Sequence, residues 1–178
     1  MNRRLGLPLV VLSFCLWIHF LGHAQWYQGP SGGNGGQTFD QWKASGEARD
    51  IRTVSVLQDG SIRCLSVLYR DRSGSFQNGY CNPGPGPLSF NGGAGISLDP
   101  DEYVIGISGR YDDHVNSLRI YTNKKNSPIF GGSGGKFDFG YTAPQGQMIV
   151  AFYGRAGTNL DAIGVLYAPC LPQKKPCR

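Results

Sequence analysis

The sequence predicts an all-β domain, and three observations predict it. Short runs rich in β-branched and aromatic residues recur along the chain, each is bounded by Gly, Pro, Asn or Asp, and no helical period lies between them. With 27 Gly and 11 Pro in 178 residues, the chain is dense in turn formers. A hydrophobic content of 40%, with 12% aromatics, is enough to pack a globular core, so the glycines do not signal disorder. The length suits one domain.

Taken in order, the first strand pair is expected over 52–57 and 62–69, joined by Gln58-Asp59-Gly60-Ser61. Asp-Gly between two β-rich runs is a strong tight-turn signal, so this pair reads as a hairpin. Further strands are expected over 103–108, 117–122, 147–153 and 162–167. Periodicity stops at a sandwich or a barrel.

The ends read differently. Asn2-Arg3-Arg4 followed by an apolar run over 5–21 and by Gly22-His23-Ala24 has the form of a signal peptide, with cleavage expected after Ala24. A membrane anchor is the alternative, but the N-terminal position and the small residues at the end favour removal, so a secreted, extracellular protein without stable membrane insertion is expected. Losing Arg3 and Arg4 takes the basic count from 17 to 15 against 12 acids, and the formal charge from +5 to +3. That excess is too small to argue for nucleic acid. The basic Cys-containing tail, 170–178, reads as a solvated end.

Outside the signal segment remain Cys64, Cys81, Cys170 and Cys177. Four thiols in an oxidising compartment suggest two disulfides. Of the three connectivities, Cys64–Cys81 with Cys170–Cys177 is preferred, because each pair is close in sequence and spans turn formers. Metal binding needs clustered ligands, and His114 is the one histidine beyond residue 24. No cofactor is expected.

Two elements suggest a binding site. Gly32-Gly33-Asn34-Gly35-Gly36 is a loop whose backbone another molecule can approach. In Gly154-Arg155-Ala156-Gly157-Thr158-Asn159-Leu160-Asp161, a β-like run ends and one carboxylate follows several backbone amides, an arrangement suited to vicinal hydroxyls. Together with Ile107-Ser108-Gly109-Arg110-Tyr111 and 116–123, and in this order, these motifs resemble the jacalin-related lectin family from about Gly29 to Tyr167.

The resemblance implies a β-prism I of three four-stranded Greek-key sheets with pseudo-threefold symmetry, filling 25–169. It also implies metal-independent carbohydrate binding at one end, with glycans or glycoproteins as partners. Asp161 would accept from two sugar hydroxyls, the amides of Thr158, Asn159 and Leu160 after Gly157 would line the pocket, and the Gly36 amide would approach from the facing loop. Similar glycine loops at 91–95 and 131–135 suggest a repeat for each sheet. Asn116 and Arg63 stand where the middle and first repeats need the acid. Asn lacks the charge and Arg cannot accept, so one principal site is expected, with a weak second near Asn116 and Gly135.

The chain runs uncut through Gly36 and has Thr158 and Asn159 where galactose-binding members carry aromatics, which favours mannose- or glucose-type ligands. An anionic, sulfated glycan held by Arg110, Arg155 and Lys136 is one alternative, opposed by Asp112 and Asp113. A secreted structural or protein-interaction module that has lost its sugar is another. The segment Arg110, Tyr111, Asp112, Asp113 is expected to overhang the pocket as a specificity loop. An enzyme is disfavoured by one histidine and two glutamates, Glu47 and Glu102, beyond residue 24. A homo-oligomer would be needed for crosslinking from a single site.

Overall fold

In the computed structural model, residues 25–80, 94–174 and 177 are described. The expected signal peptide, Cys81, and Asn91, Gly92 and Gly93 of the middle glycine run lie outside them. Twelve strands are present among the described residues: β1 Trp26–Gly32, β2 Gln37–Asp40, β3 Asp50–Gln58, β4 Ile62–Arg70, β5 Phe76–Tyr80, β6 Ala94–Ser97, β7 Val104–Tyr111, β8 Val115–Thr122, β9 Phe130–Gly131, β10 Phe137–Thr142, β11 Gln147–Ala156 and β12 Leu160–Pro169. One short α-helix, α1 (Gln41–Ala44), starts on Asp40, whose Oδ1 accepts from the amides of Trp42 and Lys43 at 3.0 and 3.3 Å.

Three antiparallel hairpins organise the chain: β3–β4, β7–β8 and β11–β12. Each is flanked by two outer strands. The first sheet runs β5-β4-β3-β6. The other two, β9-β8-β7-β10 and β1-β12-β11-β2, join through the single pair Ile149↔Val104 into one eight-stranded sheet. In the first two groups the fourth strand returns beside the first, the Greek-key order. In the third, the outer strands come from the chain's N-terminal end.

The hairpin strands form because their apolar residues alternate toward a common interior. Val54, Val56, Leu65 and Val67, then Ile107, Leu118 and Ile120, then Phe152, Ile163 and Val165 share one core. Full burial of a side chain such as Phe152 contributes about 1.5–3 kcal/mol relative to exposure. β11 and β12 are buried on both faces, so they read as unbroken apolar runs. Their second face packs Met148, Val150, Leu166 and Ala168 under Trp42 and Tyr103.

Cys170–Cys177 is a disulfide, as expected, and Cys64 is also disulfide-bonded. The tail requires a correction. Lys174 is not solvated: its side chain is 1% exposed, and Nζ lies 2.6 Å from Asp50 Oδ1 and donates to the Glu102 carbonyl at 2.6 Å. Asp50 is also held by Arg70 at 2.9 Å and Arg52 at 3.6 Å. Burial lowers the Lys174 pKa, against the opposing pull of Asp50. A lysine enters the interior here because a carboxylate and a carbonyl meet it.

Candidate functional site

The three hairpins end alike. After a register shift, Gln58 pairs with Ile62, Tyr111 with Val115 and Ala156 with Leu160. Each pair encloses a three-residue loop, 59–61, 112–114 and 157–159, in which the first amide donates to the third carbonyl at 3.1, 3.1 and 2.9 Å. The second residue of each return strand is therefore Arg63, Asn116 and Asp161. The repeat alignment made from sequence is thus matched by the geometry.

At the third hairpin the glycine loop folds down onto Asp161. The Gly33 amide donates to the Asp161 carbonyl at 2.8 Å. A Cβ on Gly35 would stand 2.5 Å from Asp161 Oδ1, and one on Gly36 would stand 2.5 Å from Oδ2 and 2.2 Å from the Ala156 carbonyl carbon. Gly36 also has φ +55°, a conformation that disfavours a side chain. Glycine is thus required at Gly36 for both backbone and space. Asp161 stays partly exposed, while its Oδ2 is buried without a hydrogen-bond partner. A carboxylate oxygen left unmatched among glycines is an acceptor in want of a donor.

The predicted residues Gly36, Gly157 and Asp161 come together here, with Thr158 exposed and Asn159 partly exposed at the loop tip. The Leu160 side chain is fully buried in the core, so its backbone alone can serve the site. Arg155 lies against the same loop: its Nε donates to the Gly35 carbonyl and Nη2 to the Gly36 carbonyl, both at 2.7 Å.

The second glycine loop repeats the geometry with a different outcome. The Gly132 amide donates to the Asn116 carbonyl at 2.9 Å, and a Cβ on Gly134 would stand 3.0 Å from the Asn116 side-chain amide. Asn116, however, is 8% exposed. With its amide turned so that nitrogen faces acceptors, it donates to the His114 carbonyl at 3.1 Å and to Asp112 Oδ1 at 3.0 Å. Its side chain is committed inside its own hairpin end. At the first hairpin Arg63 donates to Asp59 of its own loop at 3.1 Å, and the Gln58 side chain accepts from the Gly131 amide.

The expected specificity loop divides. Asp113 abuts the principal glycine loop, since its carbonyl oxygen is 2.2 Å from where a Gly33 Cβ would stand. Asp112 lies in the same three-residue loop. Arg110 and Tyr111 turn to the second loop instead. Arg110 donates to the Ser133 carbonyl at 3.1 Å and pairs with Asp138 at 3.4 Å, and Tyr111 packs against Phe137 and Phe139 with ring centroids 5.5 and 6.2 Å away. Tyr111 is thus part of the core edge, which corrects its expected place over the pocket. Arg110 and Arg155 are bound to two different loops, so Arg110, Arg155 and Lys136 do not form one free cationic cluster. Sequence reasoning missed the Arg155 contacts. The signal was an Arg at the same place before the turn in two repeats.

Comparison with known proteins agrees with this arrangement. Residues 28–166 match the jacalin-like lectin domain. Jacalin-related lectin 19 of Arabidopsis thaliana is 35% identical over 150 residues, covering 78% of this chain and 77% of that one. Myrosinase-binding protein 2 of the same plant is 30% identical over 143 residues, and the match spans 79% of this chain but 20% of that longer protein. Among solved structures, artocarpin complexed with methyl-α-mannose superposes with a TM-score of 0.68 at 27% identity, covering 81% of this chain and 97% of that one. A mannose-binding jacalin-related lectin from Ananas comosus gives 0.67 at 26% identity, covering 82% and 99%.

Proposed function

This chain belongs to the jacalin-related lectin family, whose members bind carbohydrate and are not enzymes, and we propose that it binds mannose- or glucose-type glycans at Asp161 without a metal ion. The observation that carries the reading is the partly exposed Asp161 carboxylate, set against the side-chain-free loop of Gly33, Gly35 and Gly36. In this reading Asp161 accepts from two sugar hydroxyls. The Gly36 amide and the amides of Thr158, Asn159 and Leu160 donate to the sugar oxygens. The mannose-binding neighbours and the uncut chain at Gly36 support the sugar class.

The three hairpins with their outer strands are read as a closed β-prism over 25–169, with the site at one end. Residues 1–24 are read as a cleaved signal peptide, so the lectin acts outside the cell. Asn116 and Arg63 make the other two hairpin ends poor sugar sites, which leaves one principal site per chain. Binding to glycans presented on a surface then gains strength through oligomers.

A glycan array on residues 25–178, with Asp161→Ala beside it and with or without EDTA, tests the reading. Binding to mannose- or glucose-containing glycans that ignores EDTA and is lost in the variant is expected. Binding confined to sulfated glycans and surviving the substitution would replace it with an anionic-glycan reading. No binding to any glycan would leave a protein-interaction module on the same fold.

A further inference from the structure

The loop that faces Asp161 has only the Asn34 side chain among four glycines, so little of its own holds its shape. Arg155 supplies that hold. Its planar guanidinium reaches two consecutive carbonyls, Gly35 through Nε and Gly36 through Nη2, at 2.7 Å each. Charge-assisted bonds of this length from a rigid fork fix direction as well as distance.

The Gly35 carbonyl and the Gly36 amide lie in one peptide plane and point in opposite directions within it. Fixing the first therefore aims the second. Arg155 lies on β11, two positions before Gly157, so one hairpin end carries both the acceptor Asp161 and the cation that orders the loop opposite it. Arg110 stands at the equivalent place in the second hairpin and donates to Ser133 of its own facing loop. An arginine binding a facing glycine loop thus occurs twice in the chain.

We infer that Arg155 is a positioning residue for sugar binding: it holds Gly35 and Gly36 so that the Gly36 amide faces the ligand, and it does not itself receive an anionic glycan. This rests on the reading of the Asp161 site given above. Two of its donors are turned inward to main-chain carbonyls, and replacing Arg155 acts on the ligand through the loop.

The test compares the protein with Arg155→Met and Arg155→Lys by ¹⁵N relaxation without sugar, and by titration with methyl α-mannoside. In Arg155→Met the order parameters of the Gly35 and Gly36 amides are expected to fall from the rigid range near 0.85 to below about 0.6. Those of Gly134 and Gly135 should stay unchanged, and affinity should drop about tenfold or more. Arg155→Lys, a point charge without the fork, should recover part of both, and it carries the same readouts if Arg155→Met does not fold. Unchanged order parameters overturn the inference. So does lost affinity with a rigid loop, which would mean that Arg155 touches the sugar. If the unaltered protein does not bind methyl α-mannoside, the sugar reading fails by that result alone, while the relaxation data still decide whether Arg155 orders the loop.

Discussion

Gly36→Ala separates two reasons for a glycine beside Asp161. At φ +55° a Cβ costs about 1–2 kcal/mol from backbone strain. Here the new methyl would also stand 2.2 Å from the Ala156 carbonyl carbon, 2.4 Å from its oxygen and 2.5 Å from Asp161 Oδ2. Backbone atoms cannot swing away, so loop and hairpin must part, which adds about 1–3 kcal/mol on the scale of overpacked interiors. Gly46→Ala is the matched control, because Gly46 has φ +64° with nothing within 4 Å of the added atom. Thermal unfolding of the two variants isolates the steric part. For a domain of this size the extra loss is worth about 2–4 °C per kcal/mol, so Gly36→Ala should melt about 2–12 °C below Gly46→Ala. It should also lose sugar affinity, which Gly46→Ala keeps. Equal melting temperatures would refute the close approach of the glycine loop to Asp161.

Two further outcomes concern features distant from the sugar. Glu102 is fully buried; burial raises its pKa, but the Thr122 hydroxyl, the Asp99 amide and Lys125 outweigh that and bring it below the usual 4.5. A lowered carboxylate pKa stabilises the fold above the unfolded value and loses that contribution as pH falls through the folded one. Glu102→Gln should therefore destabilise the protein at pH 7, with the gap narrowing below about pH 4.5 in denaturant melts; a constant gap down to pH 3 would contradict the charge-based explanation. The double variant Cys170→Ser with Cys177→Ser opens a loop of sequence separation 7, worth about 2 kcal/mol in chain entropy. It should lower the melting temperature and expose the tail that carries Lys174 to protease, with sugar affinity unchanged.

The central hairpins were legible because their side chains alternate against a core or are buried on both sides, as in Val54, Val56, Leu65 and Val67 or the run from Met148 to Phe152. The outer strands were not. β1 contains Gly29-Pro30, and β2, β6 and β9 are four residues or fewer, so neither period nor propensity builds up along them. β10 did carry a signal, since Phe139 and Tyr141 alternate inward behind exposed Phe137, but its Gly and Asp made it resemble a loop.

At the site, Asp161 and the glycine loop were legible from motif order and repeat alignment. The division of the 110–113 segment was not, because Arg110 and Tyr111 end strand β7 while Asp112 and Asp113 lie in the three-residue loop beyond it. Lys174 was missed for a related reason: a lysine in a basic tail reads as solvated unless its partners, Asp50 and the Glu102 carbonyl, are known to meet it.

The most direct measurement is calorimetric titration of the protein with methyl α-mannoside, beside Asp161→Asn, with EDTA present throughout. Asparagine keeps the size of the side chain and removes its charge, and a charge-assisted hydrogen bond is worth about 1.5–3 kcal/mol, or about 10- to 150-fold in affinity. One site per chain, weakened by that factor in Asp161→Asn at an unchanged melting temperature, is the predicted result. Undiminished binding in Asp161→Asn, or no binding by the unaltered protein, would contradict a sugar site built on Asp161.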